Sequence, residues 1–282
     1  MKMTKILAVV MAVLMMALCF AGCGEKKEAT DMEYVKGKGK LVVGITDFAP
    51  MDYQDKDGNW IGFDADMAKA FAKYLGVQVE FVEINWDNKK MELDGKNIDC
   101  VWNGMTLTDE VKAGMDCSKP YCNNAQVIVV PADKADQYKT AADCKGLKFA
   151  VEAGSAGKDQ AVANNFQYTE VLDQATALSE VAAGTCDAAI IDSLMAGAMI
   201  GEGTGYANLT YTAGLNTEEY GVGFRKGSDL VAEFNAFFAA EVANGNVQKV
   251  AETYGVQEAL IKKFLKVLIM KKRVLWHSLL LA

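Results

Sequence analysis

Histidine and arginine, which often supply acid–base catalysis and anion clamps in proteins, are almost absent from this chain. The single histidine is His277, and the only arginines are Arg225 and Arg273. His277 lies in a basic stretch near the end of the sequence. Ser–His and Cys–His catalysis and histidine-ligated metals are therefore excluded from the main part of the chain. An anion site there must rely on Arg225, lysines, hydroxyl groups or backbone N–H groups.

Cysteines are the other reactive side chains, and five follow the first 23 residues. Because five is odd, at least one thiol stays unpaired or pairs elsewhere. The spacing of Cys117 and Cys122 lacks the partners of a zinc site. Buried free thiols are the simplest interpretation. If a disulfide forms, Cys144–Cys186 is the preferred bridge, since each of these cysteines precedes a predicted strand in the same half of the protein. The five are Cys100, Cys117, Cys122, Cys144 and Cys186.

The net charge of −8 conceals an uneven distribution along the 282 residues. Residues 1–22 carry two lysines, residues 262–282 carry six basic residues, and neither segment contains an acidic one. Residues 23–261 thus hold 21 basic and 37 acidic residues, a formal charge of −16. A body this acidic is unsuited to nucleic acids, because neutralising phosphates requires clustered lysine and arginine.

The N-terminus has the pattern of an export signal over residues 1–22. Lys2 and Lys5 precede an apolar stretch, residues 6–20, that is too short for an ordinary membrane span. The following Phe-Ala-Gly-Cys sequence resembles the bacterial lipobox, which implies lipidation of Cys23 and a stable membrane anchor. A plain secretory signal is the alternative. Residues 23–38 are then predicted to be a flexible, lipid-anchored linker.

Beyond the linker, strand and helix patterns alternate, which predicts an α/β protein with mostly parallel sheets flanked by helices. The pattern restarts after Pro131, so two halves of similar size are expected, with a ligand cleft between them. Strands are predicted over residues 41–45, 77–82, 98–102, 125–130, 147–151, 188–191 and 220–224. Helices are predicted over residues 63–75, 88–94, 108–113, 157–164, 173–183, 193–200, 229–243 and 247–254.

Short motifs along residues 41–259 resemble, in order and spacing, the family 3 extracellular solute-binding proteins. In the first half they are LVVGI (41–45), GFDADMA (62–68), LDGKNID (93–99), GMTLTDE (104–110) and CSKPY (117–121). In the second half they are GLK (146–148), GSAG (154–157), AGTCD (183–187) and EYGVGFRK (219–226). Each motif is weak alone, and the ordered set is strong evidence.

The resemblance implies a two-lobe periplasmic-binding-protein-like fold of type II. Lobe 1 is expected to combine residues 39–127 and 222–261, and lobe 2 to contain residues 131–217. The implied function is the extracytoplasmic substrate-binding component of an ABC importer, which captures a polar amino acid and presents it to the permease and ATPase. Neither a cofactor nor covalent chemistry is expected.

The resemblance also implies ligand contacts in lobe 1. Phe48 matches the family's stacking aromatic residue and Trp86 the opposite wall of the pocket, an arrangement that can hold an ammonium group against ring faces. Gly104 and Thr106 match backbone and hydroxyl contacts, and Asn103 beside them is a further amide candidate. Core packing, or a strand-end turn, is the alternative for each. Asp64 and Asp66 fit the family pattern and are expected to be structural, through capping and first-turn charges.

In lobe 2, Asp192 matches the carboxylate that pairs with the ligand ammonium, although its place before a helix also suits an N-cap. Two departures concern the ligand carboxylate. Val111 stands where the family usually has arginine, and Ala156 stands where it has threonine or serine. The carboxylate subsite is therefore expected at a helix N-terminus, formed by the N–H groups of Ala156, Gly157 and Lys158 with the hydroxyl of Ser155. Lys112 or Lys158 is the candidate for a point charge there, without the fork geometry of arginine.

These departures leave two ligand hypotheses open. The first is an α-amino acid held by a rebuilt carboxylate subsite. The second is a cationic amine without the α-carboxylate, favoured by the acidic body. Exported dehydratases share the fold and are a third, weaker alternative, because the body has no histidine and lacks an arginine clamp.

Residues 262–282 form an atypical tail that is first basic and then apolar. Its apolar run is too short to span a bilayer. The segment is interpreted either as a basic amphipathic stretch on the membrane surface or as a frameshifted or readthrough end of the gene.

Overall fold

The computed structural model describes residues 29–261, and the fold is that of the unit beginning at Asp31. The helices are α1 Asp31–Lys38, α2 Phe63–Leu75, α3 Lys89–Asp94, α4 Asp109–Gly114, α5 Ala156–Ala163, α6 Gln174–Ala183, α7 Ser193–Met199, α8 Leu230–Asn244 and α9 Asn246–Tyr254. The strands are β1 Lys40–Ile45, β2 Tyr53–Gln54, β3 Trp60–Ile61, β4 Gln78–Glu83, β5 Cys100–Thr106, β6 Asp116–Cys117, β7 Cys122–Asn124, β8 Gln126–Pro131, β9 Lys148–Glu152, β10 Gln167–Val171, β11 Ala188–Asp192, β12 Leu209–Gly214 and β13 Glu218–Phe224. Three 3₁₀ helices span Trp86–Asn88, Ala132–Gln137 and Ala141–Cys144.

Two large sheets organise these elements into two lobes, and β2 and β3 form a small two-stranded sheet of their own. The first sheet has the order β4-β1-β5-β13-β6, with β7 also paired to β13. The second has the order β10-β9-β11-β8-β12. We call the first sheet with its helices lobe 1, and the second with its helices lobe 2. The chain passes from lobe 1 to lobe 2 between β7 and β8, and returns between β12 and β13, as the two-lobe prediction requires.

Both sheets are mixed rather than mostly parallel. Strand β1 pairs in parallel with β4 and β5, and β9 pairs in parallel with β10 and β11. The strands that connect the lobes reverse this direction: β13 runs antiparallel to β5, and β8 antiparallel to β11 and β12.

Local sequence accounts for several element boundaries. Met67, Phe71 and Leu75 line one face of α2, and Gly76 ends the helix in the left-handed conformation. The side chain of Thr108 accepts a hydrogen bond from Val111 N–H and so begins α4. Ser155 and Asp173 cap α5 and α6 in the same way. Each cap lies where the sequence pattern placed the start of a helix, within one or two residues.

The predicted flexible linker is wrong for residues 31–38, which form α1. Val35 is fully buried in the core of lobe 1. Asp31 pairs with Arg225 Nε at 2.9 Å, and Arg225 also donates to the carbonyl groups of Leu93 and Ile98. The only arginine among the described residues therefore has a structural role, because it joins α1 to the residues around the end of α3. The export signal, Cys23 and the 262–282 tail lie outside the described residues.

The preferred Cys144–Cys186 bridge is also wrong, because all five cysteines between residues 29 and 261 are free thiols. The two do precede neighbouring strands, as expected. However, Cys144 packs with Phe149 on one face of the second sheet, whereas Cys186 packs with Ala189 on the other. A sheet therefore separates the two sulfur atoms, and a disulfide needs Cα atoms within about 7 Å. Over the same residues, no helix is long and apolar enough to cross a bilayer.

Candidate functional site: a cleft between the lobes

A cavity of about 230 Å³ lies where the carboxyl ends of strands from both sheets face each other. Lobe 1 contributes the residues after β1, the end of β5 and the 3₁₀ turn that begins at Trp86. Lobe 2 contributes the ends of β9 and β11 and the first turns of α5 and α6. Open α/β sheets bind ligands at this edge.

Of the nine predicted binding residues, Gly157 does not line the cavity. Gly157 packs against β11 instead, where an added Cβ would lie 2.9 Å from the carbonyl oxygen of Ile190. A direct ligand contact by Gly157 is therefore unsupported. The residues that do line the cavity are Phe48, Trp86, Asn103, Gly104, Thr106, Ser155, Ala156 and Asp192.

The lobe 1 wall depends on a close contact between Phe48 and Gly104. Gly104 has a φ of 52°, and a Cβ there would lie 2.2 Å from a ring carbon of Phe48. Only glycine fits under this ring. The Phe48 ring also meets Tyr220 edge-on at a centroid distance of 6.3 Å. Phe48 is thus fixed at the cavity wall by packing on two sides.

A buried carboxylate holds this strand end from below. The N–H of Gly104 donates to Asp64 Oδ2 at 2.7 Å, and the hydroxyl of Tyr121 donates to the same oxygen at 2.7 Å. Burial raises the pKa of Asp64 to about 7. The predicted helix-capping role of Asp64 is wrong, since Gly62 occupies the N-cap position. The prediction of a structural role for this residue agrees with these contacts.

Asn103 lines the cavity, but its amide group is already engaged. Its Nδ2 donates to the carbonyl of Thr46 and to Asp52 Oδ2, and its Oδ1 accepts from the Thr46 hydroxyl. Thr106 is engaged as well, because its hydroxyl donates to Glu218 Oε1 at 2.9 Å. The polar atoms of both side chains therefore bond to other protein groups and fix the cavity wall.

Asp192 is the most elaborately held carboxylate of the site. It is 4% exposed at the end of β11. Its oxygens accept hydrogen bonds from Asn124 Nδ2, Gln174 Nε2 and the Tyr220 hydroxyl. Burial, and then the neighbouring charge of Glu218, raise the pKa of Asp192 to about 7. Its side chain makes no N-cap hydrogen bond to α7, so the expected cap role is wrong.

The sequence reasoning missed Glu152 and Gln174. Glu152 is the last residue of β9, one position beyond the predicted strand, and is 3% exposed. Gln174 begins α6, donates to Asp192, and also lies 3.5 Å from Glu152 Oε2. Glu152 could have been found from its place at a strand's carboxyl end. Gln174 could not, because only the packing of α6 brings it to β11.

The region around Val111 is apolar. Val111 packs in one cluster with Trp86, Met105 and Met115, and all four line the cavity. Because Arg225 is held elsewhere, no described guanidinium reaches the cleft. The hydroxyl of Ser155 donates to the Glu152 carbonyl and accepts from the N–H of Lys158. At the start of α5, where the carboxylate subsite is predicted, the Ser155 hydroxyl and the N–H of Lys158 are therefore already engaged with each other.

Lys89 connects the two lobes. Its Nζ donates to the carbonyl of Gly154 at 2.8 Å and to that of Trp86 at 3.1 Å, and it lies 4.9 Å from the Trp86 ring centroid. Burial lowers the pKa of Lys89. Gly154 has a φ of 68°, and a Cβ there would lie 2.7 Å from the Cα of Asp87. Backbone from the two lobes meets here, which describes a closed cleft.

Comparisons with known proteins agree with this architecture. Residues 41–257 match the family described as bacterial extracellular solute-binding proteins, family 3. The chain is 32% identical over 251 residues to the L-cystine-binding protein TcyJ of Escherichia coli (strain K12), covering 86% of this chain and 93% of that protein.

Two solved structures extend the comparison. An ABC uptake transporter substrate-binding protein from Streptococcus pneumoniae with bound histidine has a TM-score of 0.76 and 28% identity, covering 84% of this chain and 100% of that chain. AncCDT-1, an ancestral amino acid-binding protein and a precursor of cyclohexadienyl dehydratase, has a TM-score of 0.73 and 32% identity, covering 79% and 98%. The two-lobe α/β fold is thus shared with solved binding proteins.

Proposed function

Because the chain belongs to the bacterial extracellular solute-binding proteins, family 3, we propose that it captures a polar amino acid in the interlobe cleft and delivers it to the permease of an ABC importer. The observation that carries this proposal is Asp192. A buried carboxylate, fixed by three hydrogen bonds at the cavity wall, lacks a lysine or arginine partner within the described residues. The α-ammonium group of an amino acid supplies the missing charge.

The remaining contacts follow from the geometry of the cavity. Phe48 and Trp86 offer aromatic surface for the body of the ligand, and the backbone at Gly104 and Thr106 borders it. At the first turn of α5 the N–H of Ala156 is the candidate donor for the α-carboxylate, since first-turn N–H groups have no partner within their helix. The N–H of Ser155, one residue earlier, already donates to the carbonyl of Glu152 at 3.3 Å. Both lobes then contact one ligand, and binding favours the closed form.

A second candidate ligand is a cationic amine that lacks the α-carboxylate. It is favoured by the apolar surroundings of Val111, where the family resemblance implies an arginine, and by the engagement of Arg225 with Asp31 and Asp99. An amine would use Asp192 and the aromatic walls without needing an anion subsite.

Binding without covalent chemistry is the proposed activity. A dehydratase, the class for which AncCDT-1 is a precursor, needs a positioned acid–base pair and a clamp for its substrate carboxylate. The described cleft contains no histidine or arginine for those tasks. We also propose that residues 1–22 direct export and that lipidated Cys23 anchors the protein at the outer face of the cell membrane. Lobe boundaries between β7 and β8 and between β12 and β13, slightly before the predicted residues 127–131 and 217–222, belong to the same proposal.

Titration calorimetry with amino acids and their decarboxylated amines tests the proposal. If the cleft binds amino acids, at least one amino acid binds at least ten times more tightly than its own amine. Equal binding by the amine favours the second candidate. No heat with either series would refute both.

A further inference from the structure

Glu152 is a buried carboxylate without a full set of partners. Its side chain lines the cavity and is 3% exposed. Oε2 has only the long contact of 3.5 Å to Gln174 Nε2, and no described donor reaches Oε1. An unpaired buried polar atom costs about 1 to 3 kcal/mol, and more when it is charged. Because this unpaired carboxylate faces a ligand cavity, we infer that a group of the ligand supplies its hydrogen-bond partner.

The missing group carries positive charge, as the neighbourhood of Glu152 indicates. Asp192 lies close by, because both carboxylates approach the same nitrogen of Gln174. Burial, and then the charge of Asp192, raise the pKa of Glu152 to about 8. Among residues 29–261, neither carboxylate has a lysine or arginine within 4.0 Å. One cationic group on the ligand can balance only one of the two.

The lysines of the cleft are already committed to other partners. Lys158 pairs with Glu170 at 3.0 Å, and Lys90 pairs with Asp94. Lys89 is the lysine whose positive charge acts on Glu152, and it partly offsets the rise in the pKa of that carboxyl group. Its Nζ nevertheless donates to two carbonyl groups, and it serves as the tie between the lobes.

We propose that Glu152 binds a second cationic group of the ligand, and so selects amino acids that carry a second ammonium or a guanidinium over neutral ones of the same shape. The inference rests on the proposed function, because it assigns the α-ammonium to Asp192. It names the ligand class by chemistry: a basic side chain, or two amino-acid ammonium groups in one molecule.

Matched ligand pairs test this with the full chain in detergent solution. The pairs are arginine and citrulline, lysine and 2-aminoheptanoic acid, and cystine and S-(2-carboxyethylthio)cysteine; each second member has nearly the same size and skeleton but lacks the second cation. Calorimetry of the wild type is expected to show at least a ten-fold preference for the cationic member of one pair. The pair that shows it tells which source of the second cation the site accepts.

The variant Glu152→Gln removes the charge and keeps the shape. We expect it to bring that preference to within about two-fold, because the cationic member loses the affinity that the charge of Glu152 supplies. Proton release gives a second readout, measured at pH 7 in buffers of different ionisation enthalpy. The cationic ligand is expected to release more protons than its neutral partner in the wild type, and the difference disappears in the variant.

The outcomes separate the two claims. If no amino acid or amine binds the wild type, the proposed function fails, and this inference fails with it. If neutral amino acids bind as tightly as cationic ones, the proposed function stands and the role of Glu152 is refuted. A preference that survives in Glu152→Gln, with unchanged proton release, also refutes it and indicates a carboxyl group kept protonated for structural reasons. Should the variant not fold, the wild-type preference and proton release decide the question.

Discussion

Replacing Asp192 by asparagine removes the charge proposed to hold the ligand ammonium while it changes the shape of the side chain very little. The carboxylate is buried, accepts three hydrogen bonds and has no described cation beside it. A ligand ammonium in Asp192→Asn therefore keeps at most a dipolar contact. No ion pair of the empty protein is broken, but the new amide nitrogen faces a donor that the carboxylate accepted from, so the variant also loses some stability.

The size of the effect follows from the burial of the pair. A hydrogen bond to a charged group contributes about 1.5 to 3 kcal/mol, and breaking one side of a buried ion pair costs about 3 to 5 kcal/mol. Asparagine retains one acceptor oxygen, so a loss of about 2 to 3 kcal/mol is expected. Since 1.4 kcal/mol corresponds to a factor of ten, the affinity falls about 30- to 150-fold.

Titration calorimetry with the tightest-binding amino acid measures this loss. Asp187→Asn is the matched control: Asp187 is an exposed residue of lobe 2 whose side chain accepts a hydrogen bond from the N–H of Lys148, outside the cleft. Circular dichroism establishes that both variants are folded. An affinity of Asp192→Asn within three-fold of wild type would refute the assignment of the ammonium to Asp192.

Three further predictions concern closure, pH and the thiols. In Gly154→Ala, a Cβ at positive φ clashes with the Asp87 backbone and hinders closure of the cleft. The affinity for the ligand is expected to fall at least ten-fold, and small-angle X-ray scattering to show a more open ligand-bound form. The control Gly146→Ala adds a Cβ in open space and is expected to leave both measurements unchanged. Burial raises the pKa of Asp64, Asp192 and Glu152 above their unfolded values, so the folded, ligand-free protein binds more protons than the unfolded chain and loses stability as pH rises from about 4 through 7 to 8. Denaturant melts that are flat over this range would contradict the prediction. All five cysteines of residues 29–261 are expected to be alkylated in denaturant without reductant, and a protected pair would contradict the free-thiol assignment.

Sequence periodicity and helix-stop residues predicted those helices and strands whose bounds depend only on neighbouring residues. The α2 helix is predicted to its exact ends, because its apolar face repeats every four residues and Gly76 stops it. The α1 helix was missed because it has one buried apolar residue, Val35, and depends on the distant pair of Asp31 with Arg225. Such a helix is defined by tertiary contacts that no local pattern displays.

The same distinction holds for the site. Phe48, Trp86 and Asp192 were predicted because a family pattern and strand ends locate them, and all three line the cavity. Strand β10, Gln167–Val171, was missed because its residues are polar and mostly exposed, and with it the pairing that completes lobe 2. The sharing of Gln174 by two carboxylates depends on how α6 packs against β9 and β11, which is a property of the folded lobe.

Mass spectrometry of the small molecules that accompany the purified protein tests the central claim most directly. The account predicts an amino acid in about one copy per chain, released on denaturation and absent from Asp192→Asn purified in parallel. A bound organic anion without an amino group, or an amino acid retained equally by the variant, would contradict it.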